Sequence, residues 1–381
     1  MTAAVAPGTL SAGGQVRLGA PAPGGLALPS GTPSASQLYA PRGVFLNESV
    51  LAVADSGNHR ILLWHGLPEE DGTPADVILC QPSAESEGAA AAGRGPENGL
   101  HLPTGLAVLD GRLYVADAWH HRVLVWDRVP RRSDEPPDWA LGQADLSSCE
   151  PNRGGSASAS TLYWPYGLGL VGGWFYVTDT GNRRVLAWRG LPEADRPADA
   201  VLGQPDFSAT DENRGGSPSA RSFRWPHAVA GAQGCTYVAD AGDHRVLGWR
   251  GEPWGVVGDR DADFALGQAD LFGASELPYA PQSASTLRFP YALATDGTAL
   301  AVADTANNRV LLWDRPPCLC GAPADRVIGQ VNFLGNGENR WQSVRRDTLC
   351  WPYGISLFGD RLAIADSGNN RVMIWDLRSE E

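Results

Sequence analysis

From Arg112 to Arg128 the chain reads RLYVADAWHHRVLVWDR: an apolar run ending in Asp117, a tight polar turn, and a second apolar run opening at Arg122. Runs of this length bounded by turn residues predict the two strands of an antiparallel hairpin. The pattern recurs six times, as ADSGNHRILLW, ADAWHHRVLVW, TDTGNRRVLAW, ADAGDHRVLGW, ADTANNRVLLW and ADSGNNRVMIW, with its aspartate at Asp55, Asp117, Asp179, Asp240, Asp304 and Asp366. These aspartates lie 62, 62, 61, 64 and 62 residues apart. A fixed long period marks a repeat architecture.

Each hairpin is followed by a segment of the form DVILCQP (76–82), DWALGQA (138–144), DAVLGQP (199–205), DFALGQA (263–269) or DRVIGQV (325–331). The second repeat therefore predicts four strands, at 105–109, 112–116, 122–126 and 139–143. The last copy, RVMIWDLRSEE, has no such segment after Trp375, whereas QVRLGAP at 15–21 stands spare near the start. An N-terminal strand around Val16 to Gly19 that completes the last repeat closes the array into a ring and removes its exposed sheet edges. The predicted fold is all-β, a six-bladed β-propeller with four antiparallel strands per blade. Residues 1–14 are expected to be a flexible N-terminus. Residues 15–381 form one domain, with 15–40 as closing strand and link and blades starting near 41, 103, 165, 226, 290 and 352.

The VADSGNHR-type repeat, with its Pro-x-Gly opening and its strand pair around Asp and Arg, resembles the NHL repeat of six-bladed β-propellers, and the resemblance covers about residues 15–378. The period departs from the 40–50 residues of simple propeller repeats. The additional length is regular. Cys80 to Pro103, Gly142 to Pro165, Gly203 to Pro226, Gly267 to Pro290 and Gly329 to Pro352 are each 23 positions, and Gly19 to Pro41 is 22. Disordered insertions would drift in length, so these links are read as ordered parts of the blades. Several carry Asn-Arg (Asn152–Gly155, Asn213–Gly216, Asn339–Arg340). In a propeller such links share one face with the turns between second and third strands.

Composition narrows the function classes. Gly (46) and Pro (29) suit many short strands and turns. All 30 basic residues are arginine, which excludes lysine Schiff-base chemistry and, with the Ala, Gly and Pro bias, suggests a GC-rich bacterial genome. A net charge of -13 opposes nucleic acid as a general partner, because non-specific affinity rests on neutralising phosphates. No secretion signal, no apolar stretch of about 18 residues and no repeated cysteine framework is read, so a cytoplasmic, monomeric propeller without membrane contact is expected.

The six aspartates with Arg60, Arg122, Arg184, Arg245, Arg309 and Arg371 are read as structural pairs, fork-like and tying turns or blades, because a catalytic site would break the repeat symmetry. Trp64, Trp126, Trp188, Trp249, Trp313 and Trp375 are read as packing between blades. Positions that differ between repeats are better binding candidates. The residue after the opening proline is Arg42, Thr104, Tyr166, His227, Tyr291 or Tyr353, six positions expected at the channel mouth that offer donors and stacking faces without a carboxylate. That lack argues against a calcium site of the kind in lactonases of similar architecture. An NHL-type lyase of similar fold uses zinc bound by histidines. His59, His121 and His244, with His120 adjacent, and Cys318-x-Cys320 are weak metal candidates. No catalytic residues and no cofactor are assigned, with zinc or calcium as the alternative. The expectation is a non-catalytic scaffold that binds a protein through the face carrying the links. The alternatives are a metal-dependent lyase or hydrolase at the channel, an RNA-binding propeller using patches such as Arg183–Arg184, or an accessory factor for a larger metalloenzyme.

Overall fold

The computed structural model describes residues 13–21, 31–256, 258–275 and 281–378. Six four-stranded antiparallel sheets follow one another around a ring. The second blade consists of strands Pro103–Leu109, Arg112–Asp117, Arg122–Trp126 and Trp139–Leu141, close to the predicted runs. The sixth consists of Pro352–Phe358, Arg361–Asp366 and Arg371–Asp376, completed by Val16–Gly19. Val16 pairs with Ile374 and Gly19 with Arg371, so the chain's first strand lies against its last and the ring is closed. Residues 1–12 of the expected N-terminal tail, and 22–30 of the first link, lie outside the described residues.

Period-two alternation sends successive side chains of one strand to opposite faces of its blade, and both faces are covered by neighbouring blades. Leu113 and Val115 pack with Ala52, Ala54 and Ile61 of the first blade, while Tyr114, Val123 and Val125 pack with Phe175 and Val177 of the third. The six repeat tryptophans are buried at these interfaces. In the first five blades the indole N–H donates to a carbonyl of the loop before the outer strand, such as Trp126 to Glu135 and Trp313 to Ala322. Neighbouring innermost strands nearly touch beside the channel. A Cβ on Gly43 would lie 2.0 Å from the carbonyl oxygen of Thr104, and one on Gly105 would lie 2.4 Å from that of Tyr166. At these positions glycine is thus a packing requirement, while the fourth and fifth blades carry Ala228 and Ala292 in its place. Among the described residues no helix is long and apolar enough to cross a membrane.

Candidate functional site

The repeated Asp and Arg form the frame of one face. In each blade the arginine Nε donates to the aspartate Oδ2 at 2.7–3.1 Å, with both side chains fully buried. The contact is a single bond from Nε, which corrects the expected fork. The other aspartate oxygen is occupied by a backbone N–H sixteen residues upstream, from Tyr39, His101, Tyr163, Arg224, Arg288 or Cys350. The terminal guanidinium nitrogens reach link carbonyls. Arg309 holds Ser283 and Thr286 of the link entering its blade and Phe333 of the link leaving it. Burial pushes the carboxyls of Asp55, Asp179, Asp304 and Asp366 above the usual range, against the pull of the adjacent arginine. At Asp117 burial acts the same way, but Arg122 and the bonded His120 outweigh it and the carboxyl lies below that range.

Two more repeated residues fix the links. The glutamine of each LGQ segment, for example Gln143 or Gln330, donates from Nε2 both to the hairpin turn and to the link seven residues on. The Asn-Arg pairs have positive φ at both residues. Arg153 and Arg214 reach the carbonyls of Gly142 and Gly203 and the carboxylates Asp195 and Asp259 on the next blade. Together these bonds account for the constant link length.

The histidines of the turn have a structural explanation. His59, His121 and His244 close the turn in left-handed conformation. Each Nδ1 accepts the backbone N–H of the residue preceding the next blade's opening proline: Leu102, Trp164 and Phe289 respectively, at 3.0–3.2 Å. In blades five and six Asn308 and Asn370 accept the same bond with an amide oxygen, from Trp351 and Ala40. Burial lowers His59 and His121 to about 4, so both rings are neutral acceptors at physiological pH. Arg183 occupies the sixth such position and cannot accept. Its junction partner Trp225 instead donates to Asp240. Among the described residues no three His, Cys, Asp or Glu side chains gather where they could hold a metal ion. Cys318 and Cys320 are exposed, and the Cys320 sulfur accepts the Ala265 N–H. This donor set does not fit a zinc or calcium centre.

The pre-proline residues held in this way were not singled out by the sequence. They are Ala40, Leu102, Trp164, Trp225, Phe289 and Trp351, and all except Trp225 have positive φ. On four consecutive blades they place aromatic rings around the channel mouth. Trp119 (49% exposed) and Trp341 (77%) extend this crown, and Trp225 and Phe289 stack at 6.1 Å. A groove of about 440 Å³ runs between Trp225, Phe289, Trp341 and Trp351. An aromatic before the proline in four repeats was the available signal.

The six channel candidates lie one layer deeper. Tyr166, His227, Tyr291 and Tyr353 form a contiguous row of rings with centroid separations of 4.1, 4.4 and 4.9 Å, in which His227 and Tyr291 stack face to face and the outer pairs are tilted, and the Arg42 guanidinium caps Tyr353 at 5.1 Å. Thr104 departs from the set. It is fully buried, and its hydroxyl donates to the carbonyls of Pro165 and Tyr166. Below the row is a cavity of about 80 Å³. Burial, with Arg42 opposing, raises the phenol of Tyr166 strongly and that of Tyr291 to about 12. Burial lowers His227 to about 4, with its Nδ1–H donated to the Trp225 carbonyl.

The NHL repeat family model matches residues 100–126. No curated protein matches in sequence. Among solved structures the chain is similar to a selenomethionine-substituted virginiamycin B lyase from Staphylococcus aureus, at 10% identity over 90% of this chain and 96% of that one, with a TM-score of 0.46. It is also similar to a chain of Kuenenia stuttgartiensis hydrazine synthase (14%, 93% and 100%, TM-score 0.47) and to a streptogramin B lyase (10%, 91% and 95%, TM-score 0.44).

Proposed function

The chain is an NHL-repeat six-bladed β-propeller, and from that premise we propose that it is a non-catalytic binding module that engages a protein partner through the face bearing the links. The observation that carries this reading is the aromatic crown. Tryptophans held half-exposed on a rigid frame, around a groove that also presents Arg288, Asn336 and Glu338, supply the large contact area and polar rim of an interface centre. The frame costs the partner little ordering, because the described links are tied by buried Arg and Asp bonds and five of them by Gln as well. Six unpaired cysteines suit a reducing compartment.

The test is chemical cross-linking of the protein in its own source, with the Trp225→Ala/Trp351→Ala double variant beside it. Cross-links from one polypeptide to the crown and links, lost at least tenfold in the double variant, support the module. Unchanged cross-linking, or a retained nucleic acid in place of a polypeptide, overturns it.

A further inference from the structure

The cavity under the aromatic row has an unbalanced chemistry. Arg42, Tyr166, His227, Tyr291 and Tyr353 supply its polar side chains, and the rest of its wall is glycine, alanine and the apolar side chains Val44, Leu106, Leu168, Leu293 and Ile355. Among the described residues no carboxylate lines it, and the partner they give the Arg42 guanidinium there is the face of Tyr353. The Tyr166 side chain is 5% exposed, and its buried hydroxyl has no hydrogen-bond partner. Leaving such a group unpaired is unfavourable, and a ligand that accepts its hydrogen bond removes that cost. At about 80 Å³ the space exceeds the ~10–15 Å³ that one water needs, and it can hold a small ion with water.

We propose that this upper channel is a binding site for the carboxylate of a small monoanion, held by the Arg42 guanidinium and the hydroxyls of Tyr166, Tyr291 and Tyr353. A planar carboxylate matches a planar guanidinium with phenol donors. One charge is the number that one cation balances, and a dianion would leave net charge in an otherwise neutral wall. The carboxylate can come from a free small acid or from the chain end of a polypeptide. The inference deepens the reading of this face as a binding face and rests on it.

Acetate and N-acetylglycine, with acetamide and N-acetylglycinamide as neutral counterparts, are the probes, followed by saturation-transfer NMR on the full chain at fixed ionic strength. The expected result is binding of at least one acid but of neither amide. Arg42→Gln should weaken it at least tenfold and Tyr166→Phe, which keeps the ring, severalfold. A strong preference for N-acetylglycine identifies a chain end, and equal binding identifies a free acid. No binding of either acid, equal binding of the amides, or unchanged binding by Arg42→Gln overturns the site. The Trp225→Ala/Trp351→Ala variant separates the two claims, since it should lose the partner and still bind the acid.

Discussion

At the scale of single residues, matched positions in six blades act as internal controls. The left-handed turn position is His in three blades and Asn in two, and both residue types accept one backbone N–H from the next blade. Replacing His59, His121 and His244 together by Asn should therefore leave thermal stability nearly unchanged, whereas His59→Ala should cost about 1–2 kcal/mol, from one lost hydrogen bond and a left-handed backbone that Ala tolerates poorly. A functional zinc site would reverse that order of severity in an activity assay. The position three after each aspartate gives a second comparison. In four blades it is Asn, donating to the aspartate from Asn58, Asn182, Asn307 and Asn369. In the fourth blade it is Asp243, whose carboxyl is pushed up to about 6 by burial and by Asp240. The folded state thus keeps a proton that the unfolded chain releases near pH 4, and stability falls as pH rises from about 4 through 6. Asp243→Asn should raise the melting temperature at pH 8 and give little gain at pH 4. Equal gains at both would show that Asp243 does not titrate in this way.

At the scale of the element, the unit is the hairpin together with the two links its arginine holds. Arg309 makes one bond to Asp304 and three to link carbonyls with no exposure to water. Arg309→Met should therefore cost about 3–5 kcal/mol, because it strands a buried carboxylate as well as three carbonyls. Hydrogen exchange should quicken in the flanking links, around 281–290 and 331–336. Arg94→Gln, which breaks a half-exposed pair with Asp134, should cost under about 1 kcal/mol. If the two variants cost the same, the links are not held by their arginines. The strands and hairpin turns were legible from alternation and period, because both arise from neighbours in sequence. The crown was not. Trp351 is positioned by Asn308, 43 residues earlier, and takes a positive φ before a proline, where local preference favours extended backbone. The channel set was legible as a set, since the residue after a repeated proline must recur around one axis. Thr104 was misread because its hydroxyl finds two carbonyls on the neighbouring blade that no repeat alignment reveals.

At the scale of the whole molecule, closure converts six similar units into one cooperative object. Every blade face is buried against a neighbour, so an unclosed sixth blade would expose one edge of its sheet and loosen two interfaces at once. The closing strand is short, but Leu18 is fully buried in the cluster that joins the last blade to the first, with Val44, Leu62, Ala363 and Val372. Polar contacts reinforce it. The Gln15 side chain accepts the Asp376 N–H, and Arg346 donates to the carbonyls of Gly14 and Gln15. Leu18→Ala alone should cost about 2–5 kcal/mol by leaving a cavity there. Deleting residues 1–22 removes that packing together with the whole ladder to Arg371–Asp376, and it should lower the melting temperature far more than the point variant does. The deletion should also split unfolding into steps, because the sixth blade then loses its link to the first before the rest of the ring opens. Adding the peptide 13–22 in excess should restore part of the lost stability by re-forming the strand. If the deleted protein melts in a single transition close to the full chain's temperature, the ring is held by its other five interfaces and the N-terminal strand is only a cover for an edge.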